Sequence, residues 1–351
     1  MDRMDGWLRC YVGTNSLRGS KGIYVVDVDP AQGDMQIISV CEAENSAYLC
    51  LSHDGRYLYA VMESLEYEGT PGGGIASYKI NCGVPEPINR RYAYGGWPCH
   101  VAMDEIRRML YVSVFRNGLW AVYPLEKNGA IREPAAVKQH SEPNGTPSHI
   151  HASVLTPDGN YAVVADCGLD CIYLYDAVRY RRIYTWHGPK GSGPRQLAFS
   201  KDGKYLYMVS ELSCEVFVFA YRPEDACMLQ EIQRLSTRRL DGYEGPNYAS
   251  AIHIHPSGNY VLAGNRGHNS IAVYSRDPIT GMLKPPSHAM LAGDHCREFC
   301  FTPDGKLLVV GIQHTDVVQT FFFNEKTGRL SWTGHELEIP SPSCVIMGLP
   351  C

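Results

Sequence analysis

A short turn motif recurs along the chain, and this repeat constrains the fold more than any other feature. Residues 195–211, RQLAFSKDGKYLYMVSE, show one copy in full: a short strand, the tight turn SKDG, and a second strand rich in Tyr and Val. This pattern predicts a β-hairpin. Four further copies of the turn and its following strand are SHDGRYLY (52–59), TPDGNYAV (156–163), HPSGNYVL (255–262) and TPDGKLLV (302–309). A degenerate copy at 103–112, MDEIRRMLYV, keeps the apolar strand but lacks the turn glycine.

The spacing of these hairpins predicts a β-propeller. The turn glycines, with position 107 standing in for the degenerate copy, are 44 to 55 residues apart. Each hairpin is followed by a third strand, such as CEVFVFAY (214–221), and by a more variable fourth segment, such as MLQEIQRL (228–235). A repeat of this length that carries several strands is typical of propeller blades. Six blades follow from the glycines alone.

A seventh blade is predicted to be divided between the two ends of the chain. Residues 11–15, 22–29 and 33–39 read as its three outer strands, and SCVIMGL (343–349) reads as its innermost strand. Joining both termini in one blade closes the ring and removes a free sheet edge. We therefore predict a single all-β domain over residues 1–351, a seven-bladed β-propeller of four-stranded antiparallel blades closed by its termini.

Composition limits the partners and the compartment. The net charge is −5 and there is no basic block, which argues against nucleic acid as a partner. The N-terminus has no apolar signal segment and no apolar run approaches the ~18 residues of a membrane span, so no membrane association is expected. Thirteen scattered cysteines are typical of reduced thiols and favour a cytoplasmic protein. A closed ring leaves no obligatory interface, so we expect a monomer or a weak homo-oligomer.

The register of the repeat brings certain positions together at one face. The two strands of a hairpin are antiparallel, so the start of the first lies beside the end of the second. Positions eight residues before and seven or eight after the turn glycine should therefore meet at the mouth of the central channel. Several arginines at one point repel each other, so they require an anionic ligand or pairing with carboxylates to offset the repulsion. The alternative interpretation is that these polar residues only form hydrogen bonds between blades. The strongest set comprises His151, Asp166, Arg195, Glu211, Asn265, Arg266, Arg297 and Gln313.

Three long segments, 148–176, 193–221 and 253–277, resemble the lactonase family of seven-bladed propellers, and the resemblance extends over nearly the whole chain. That family includes the bacterial propeller-type 6-phosphogluconolactonases and the fungal 3-carboxy-cis,cis-muconate lactonizing enzymes. The resemblance implies a carboxylic ester hydrolase without a cofactor, acting on a small anionic lactone. It points foremost to hydrolysis of 6-phospho-D-glucono-1,5-lactone to 6-phosphogluconate in the pentose phosphate pathway.

The resemblance also implies roles for particular residues. The family's catalytic His, two Arg and Glu correspond here to His151, Arg195, Arg266 and Glu211. A histidine with a pKa near neutrality suits the activation of water and the protonation of the leaving alkoxide, while Glu211 either orients a base or is the base itself. The expected substrate-binding residues are Asp166, Asn265, Arg297, Gln313, His100 and His253.

Three other functions are compatible with the same residues. The pairs His149/His151 and His253/His255 could chelate a metal, although no carboxylate cluster accompanies them and no metal is expected. The arginines could instead hold the carboxylates of a muconate in a lactonizing cycloisomerase. The propeller could also be a non-catalytic binding platform. No G-x-S-x-G motif is present, so a covalent serine intermediate is not expected.

Overall fold

The computed structural model describes residues 6–142, 145–239 and 242–349, and every regular element in these ranges is a β-strand. Seven four-stranded antiparallel sheets, the blades, surround a central channel.

From innermost to outermost strand, the terminal blade contains β30 (Pro342–Met347), β1 (Leu8–Thr14), β2 (Gly22–Val28) and β3 (Met35–Glu42), and blade 1 contains β4 (Leu49–Leu51), β5 (Tyr57–Met62), β8 (Gly74–Asn81) and β9 (Val84–Tyr92). Blade 2 contains β10 (Pro98–Asp104), β11 (Met109–Val114), β12 (Leu119–Pro124) and β13 (Ala136–Gln139), and blade 3 contains β14 (Ile150–Leu155), β15 (Tyr161–Asp166), β16 (Cys171–Asp176) and β17 (Arg182–His187). Blade 4 contains β18 (Pro194–Phe199), β19 (Tyr205–Ser210), β20 (Glu215–Tyr221) and β21 (Leu229–Ser236), and blade 5 contains β22 (Tyr248–Ile254), β23 (Tyr260–Arg266), β24 (Ser270–Ser275) and β25 (Ser287–Met290). Blade 6 contains β26 (Cys296–Phe301), β27 (Leu307–Ile312), β28 (Val317–Asn324) and β29 (Arg329–Glu338), and a small hairpin of β6 (Glu66–Tyr67) and β7 (Thr70–Pro71) is inserted in blade 1.

The ring closes through the two ends of the chain. Strand β30 pairs antiparallel with β1, with Tyr11 opposite Ile346, and forms the innermost strand of the terminal blade. The predicted seven-bladed propeller with a divided blade is confirmed. No helix in the described ranges could cross a membrane.

The recurring turns are stabilised by side chains of the motif itself. In the blade 4 turn, Gly203 has φ +71°, the left-handed region that favours glycine, and Ser200 Oγ donates to Asp202 Oδ1 at 2.5 Å. Burial would raise the pKa of the Asp202 carboxyl, but the hydrogen bonds from Ser200 and the Lys204 amide outweigh it and lower that pKa. In the degenerate copy of blade 2, Arg107 occupies the glycine position, and the next residue, Arg108, adopts the left-handed conformation, with φ +56°.

The hydrophobic core lies between adjacent blades. Val209 and Val218 of blade 4, for example, belong to the same buried cluster as Ile252 and Ala263 of blade 5. Because the second and third strands of each blade are covered on both faces, they are apolar almost throughout. This packing fixes each blade's innermost strand against its neighbour and so holds the channel wall in place.

A β-bulge near the start of the innermost strand recurs in six of the blades. In blade 4, Pro194 pairs with Ser210 and Gln196 pairs with Val209, which leaves Arg195 as an extra, unpaired residue. Bulges re-aim side chains and are common beside active sites. The corresponding bulges contain Cys99 in blade 2, His151 in blade 3, Ser250 and Ala251 in blade 5, Arg297 in blade 6 and Ser343 in the terminal blade. In these six blades, the residue at the start of the innermost strand is therefore unpaired in the ladder, at the position predicted to face the channel mouth.

Candidate active site at the channel mouth

Two arginines from neighbouring blades enclose one carboxylate. Arg195 Nε, from the bulge of β18, lies 2.9 Å from Oε2 of Glu211, although this contact is not aligned as a hydrogen bond. Nη2 of Arg266, the last residue of β23, lies 3.0 Å from Oε1 of the same carboxylate. Both guanidinium groups also donate to main-chain oxygens of β22, Arg195 to Ser250 and Arg266 to Ala249. The two arginines are therefore buried and held in fixed orientations.

The mouth carries more positive than negative charge. Burial alone would raise the pKa of Glu211, but Arg266 and Arg195 outweigh it and hold that pKa below its ordinary value. Burial, together with repulsion from Arg195 and Arg297, lowers the pKa of Arg266 to about 10. Arg297, in the bulge of β26, is half-buried and has no ion-pair or hydrogen-bond partner among the described residues. One carboxylate therefore faces three guanidinium groups, an arrangement that an anionic ligand would stabilise.

His151 is a neutral imidazole beside this cationic cluster. It lies in the bulge of β14, is 9% exposed, and its Nδ1 has no hydrogen-bond partner. Burial and then the positive charges of Arg195 and Arg297 lower its pKa well below the ordinary value. The pKa near neutrality that the sequence led us to expect is therefore wrong for the ligand-free protein. A neutral imidazole can accept a proton from water, and an anion bound nearby would raise its pKa.

Asp166 and Asn265 are not brought to the mouth, contrary to the sequence prediction. Asp166 is fully buried, and its carboxylate accepts hydrogen bonds from Ser148 Oγ at 2.5 Å, from the His149 amide group and from two amide groups of the loop that follows it. Asn265 is also fully buried, and its amide bonds to Thr237 and Asn247. Successive residues of a strand face opposite sides. The seventh position after the turn glycine therefore faces into the blade, and only the eighth faces the mouth.

Glu211, Arg266 and Gln313 all occupy that eighth position. Gln313 links blade 6 to the terminal blade, because its Nε2 donates to Asn15 Oδ1 at 2.7 Å. The register also puts Glu63, Phe115 and Cys167 at the eighth position, although they are not among the predicted site residues. Asn15 of the terminal blade, which has no turn glycine before it, was missed. Its Nδ2 lies 3.3 Å from Glu63 Oε2, and Phe115 packs edge-on against His151 with ring centroids 5.8 Å apart.

His100 and His253, which the sequence led us to expect as substrate-binding residues, lie one layer deeper than the mouth. They belong to a polar layer across the channel, which we call the septum and which comprises Tyr48, His100, Gln196, His253 and Glu298. Gln196 Nε2 donates to Tyr48 Oη at 3.1 Å and to Glu298 Oε2 at 2.9 Å. On the far side of the septum a cavity of about 550 Å³ continues to the opposite face, and none of His151, Arg195, Glu211, Arg266 and Arg297 lines it.

The histidine pairs that could have chelated a metal have other partners. His149 Nδ1 lies 3.0 Å from the Phe115 carbonyl oxygen, and His253 Nε2 lies 2.7 Å from Glu298 Oε1. His255 contacts Ser257 and the Gly305 carbonyl group. In the part of the chain that the structure describes, no three His, Cys, Asp or Glu side chains converge as metal ligands.

Fold and site together define a seven-bladed propeller whose channel mouth carries a cluster of arginines. The family model described as "Lactonase, 7-bladed beta-propeller" matches residues 9–347, and the chain belongs to this family. Two relatives named 6-phosphogluconolactonase, from Bacillus subtilis and Formosa agariphila, are 31% and 30% identical to it, over 95% and 93% of this chain and 97% and 95% of their own. The periplasmic gluconolactonase of Pseudomonas aeruginosa superposes with a TM-score of 0.91 at 28% identity, over 98% of this chain and 99% of that one.

Proposed function

We propose that this protein hydrolyses a sugar-acid lactone, and that its substrate is 6-phospho-D-glucono-1,5-lactone. The observation that carries the proposal is the set of three arginines around one carboxylate, beside a neutral buried imidazole. The relatives named 6-phosphogluconolactonase, which align with nearly the whole chain, support the same activity. The product of this reaction, 6-phosphogluconate, would place the enzyme in the pentose phosphate pathway.

In this proposal His151 activates water. The neutral imidazole accepts a proton as the water oxygen attacks the lactone carbonyl carbon, and negative charge develops on the carbonyl oxygen. Arg195 and Arg266 stabilise that charge, because their guanidinium groups are already oriented and cost no reorganisation. The ring C–O bond then breaks, and the imidazolium returns its proton to the leaving alkoxide. The product carboxylic acid releases a proton to solvent.

Glu211 acts in this scheme by positioning the arginines. Its two carboxylate oxygens face Arg195 and Arg266, and its pKa is lowered by them, so it is a weak base. It holds both guanidinium groups in place while leaving a net positive charge at the mouth. Arg297, which has no protein partner in the described ranges, is free to bind the substrate phosphate.

The proposal also includes a cytoplasmic location and catalysis without a cofactor. Twelve described cysteines are free thiols, which supports a cytoplasmic location. The excess of arginines at the mouth suits a small anionic molecule, and we propose that the site works without a cofactor.

Turnover of the phosphorylated lactone tests this function. Conversion to 6-phosphogluconate is followed by NMR, with the spontaneous rate subtracted and the His151→Ala variant as the matched control. We expect hydrolysis by the wild-type protein and a rate close to background for the variant. Conversion of 3-carboxy-cis,cis-muconate instead would assign the cycloisomerase activity, and turnover of neither compound would leave a binding platform; either result contradicts the proposal.

A further inference from the structure

The channel cavity beyond the septum has the features of a ligand-binding site. Its wall is formed mainly by apolar side chains from the middle and end of the innermost strands, and Lys201 and His255 also line it. Because such a wall offers water few hydrogen bonds, an apolar molecule would occupy it more favourably than solvent. The apolar lining residues include Cys50, Leu51, Ala102, Met103, Val154, Ala198, Phe199, Ile254 and Ile346.

The septum gives this cavity a polar inner end. His100 lines the cavity, is 5% exposed, and its buried Nδ1 has no hydrogen-bond partner, while its ring packs on Tyr48 with centroids 4.4 Å apart. Burial lowers the pKa of His100 to about 4, so the imidazole is neutral at physiological pH. That Nδ1 is inaccessible to solvent, so a molecule in the cavity would reach the ring through Nε2, which forms no hydrogen bond with a described residue. The Nε2 atom of His100 is therefore available to a polar group of a ligand in the cavity.

The remaining septum groups favour an uncharged ligand. The Glu298 carboxylate already accepts from His253 Nε2, from Gln196 Nε2 and from the Phe299 amide group, so it has little capacity left for a cation. Its negative charge would repel an anion. The charge of Arg195 reaches across the septum, since after burial it also lowers the pKa of His100. It would therefore repel a cation bound beside His100.

We propose that this cavity is a second binding site, distinct from the channel mouth, for a small uncharged molecule that carries a hydroxyl group on an apolar ring. The ring packs against the apolar wall, and the hydroxyl group bonds to His100. An apolar pocket with a few convergent polar groups is the usual form of a small-molecule site. The hydrogen bonds of Gln196, which span the channel from Tyr48 to Glu298, separate this site from the arginine cluster. The proposal does not depend on the lactonase reaction.

The probe that tests this site is 4-bromophenol, with bromobenzene as the matched compound that lacks the hydroxyl group. In crystals of the full-length protein, the anomalous signal of bromine should appear in the cavity. In solution, calorimetry should show that 4-bromophenol binds about tenfold more tightly than bromobenzene, and that His100→Phe removes this difference. Ala102→Phe, which fills the cavity, should weaken both compounds by about tenfold or more and leave lactone hydrolysis unchanged.

Three results would overturn the proposal. They are the absence of bromine from the cavity at saturating soak, equal affinity of the wild-type protein for the two compounds, and undiminished binding to the filled variant. Val154→Phe, which fills the same cavity from the neighbouring blade, replaces Ala102→Phe if that variant does not fold.

Discussion

Arg195 occupies the bulge of β18, and its Nε lies 2.9 Å from Oε2 of Glu211, the first residue after the neighbouring strand β19. Both residues come from one hairpin, and Arg266 of the next blade contacts the other carboxylate oxygen at 3.0 Å. The bulge leaves Arg195 without a partner in the strand pairing. Glu211, eight residues after the turn glycine, faces the channel mouth beside it. The hairpin thus supplies half of the charged cluster, and inter-blade packing supplies the rest.

Replacing Glu211 by Gln should destabilise the protein, because it leaves two buried arginines without a counter-charge. We expect a loss of about 3–5 kcal/mol in the free energy of unfolding at pH 7, measured by urea denaturation. The pKa of Glu211 is lowered in the folded protein, so its contribution is complete above the unfolded pKa of about 4.3 and declines as the pH falls toward the folded value. The difference between variant and wild type should therefore shrink below that pH. Glu215→Gln, a change on the next strand of the same blade, is the control, and an equal loss in both variants would argue against the pairing.

Replacing His151 by Ala should lower kcat for the lactone by roughly 10²–10⁴ while the fold is retained, because proton transfer is lost. The measurement is the initial rate at saturating substrate, with thermal unfolding as the check on folding. A variant that folds normally and keeps the wild-type kcat would remove His151 from the mechanism.

In the proposed mechanism, the pH dependence of kcat/KM reports the protonation of His151 in the free enzyme. Since burial and the arginines hold its pKa well below 6.5, the basic form persists as the pH falls. We expect kcat/KM for unphosphorylated gluconolactone to stay level between pH 7.5 and pH 6, once the spontaneous rate is subtracted. The unphosphorylated substrate is used because a phosphate group titrates in this range. A half-maximal value near pH 6.5 would show an ordinary histidine pKa.

Replacing Arg297 by Gln should raise KM for the phosphorylated lactone by about ten- to hundredfold, because one charged contact to the phosphate is removed. Stability should be nearly unchanged, since Arg297 has no ion-pair or hydrogen-bond partner among the described residues. KM for unphosphorylated gluconolactone is the internal control and should hardly change. A similar rise for both lactones would assign Arg297 to the lactone ring instead.

The blades and their register could be read from the sequence because the turn chemistry repeats. A Ser or Thr followed by Asp and Gly, as at Ser200, Asp202 and Gly203, marks four of the six repeated hairpins. A fixed offset from the glycine locates Arg195 and Glu211 at the open end. Even the degenerate turn keeps the register, because Arg107 takes the glycine position and the next residue, Arg108, adopts the left-handed conformation.

Side-chain direction could not be read in the same way. Asp166 and Glu211 differ by one position in the repeat, and the alternation of the strand turns the first into the blade and the second toward the mouth. His100 follows the bulged Cys99 by one residue and faces the channel below the mouth. The lowered pKa of His151 depends on burial and on the arginines of three other blades, so no local pattern indicates it.

The central claim is that the arginine-lined mouth hydrolyses an anionic lactone, and the most direct test compares two substrates. The measurement is the ratio of kcat/KM for 6-phospho-D-glucono-1,5-lactone to that for D-glucono-1,5-lactone, each corrected for spontaneous hydrolysis. We predict a ratio of about 100 or more, the effect of a charge-assisted contact that only the phosphate can make. A ratio near one, or turnover of neither lactone, would contradict the account.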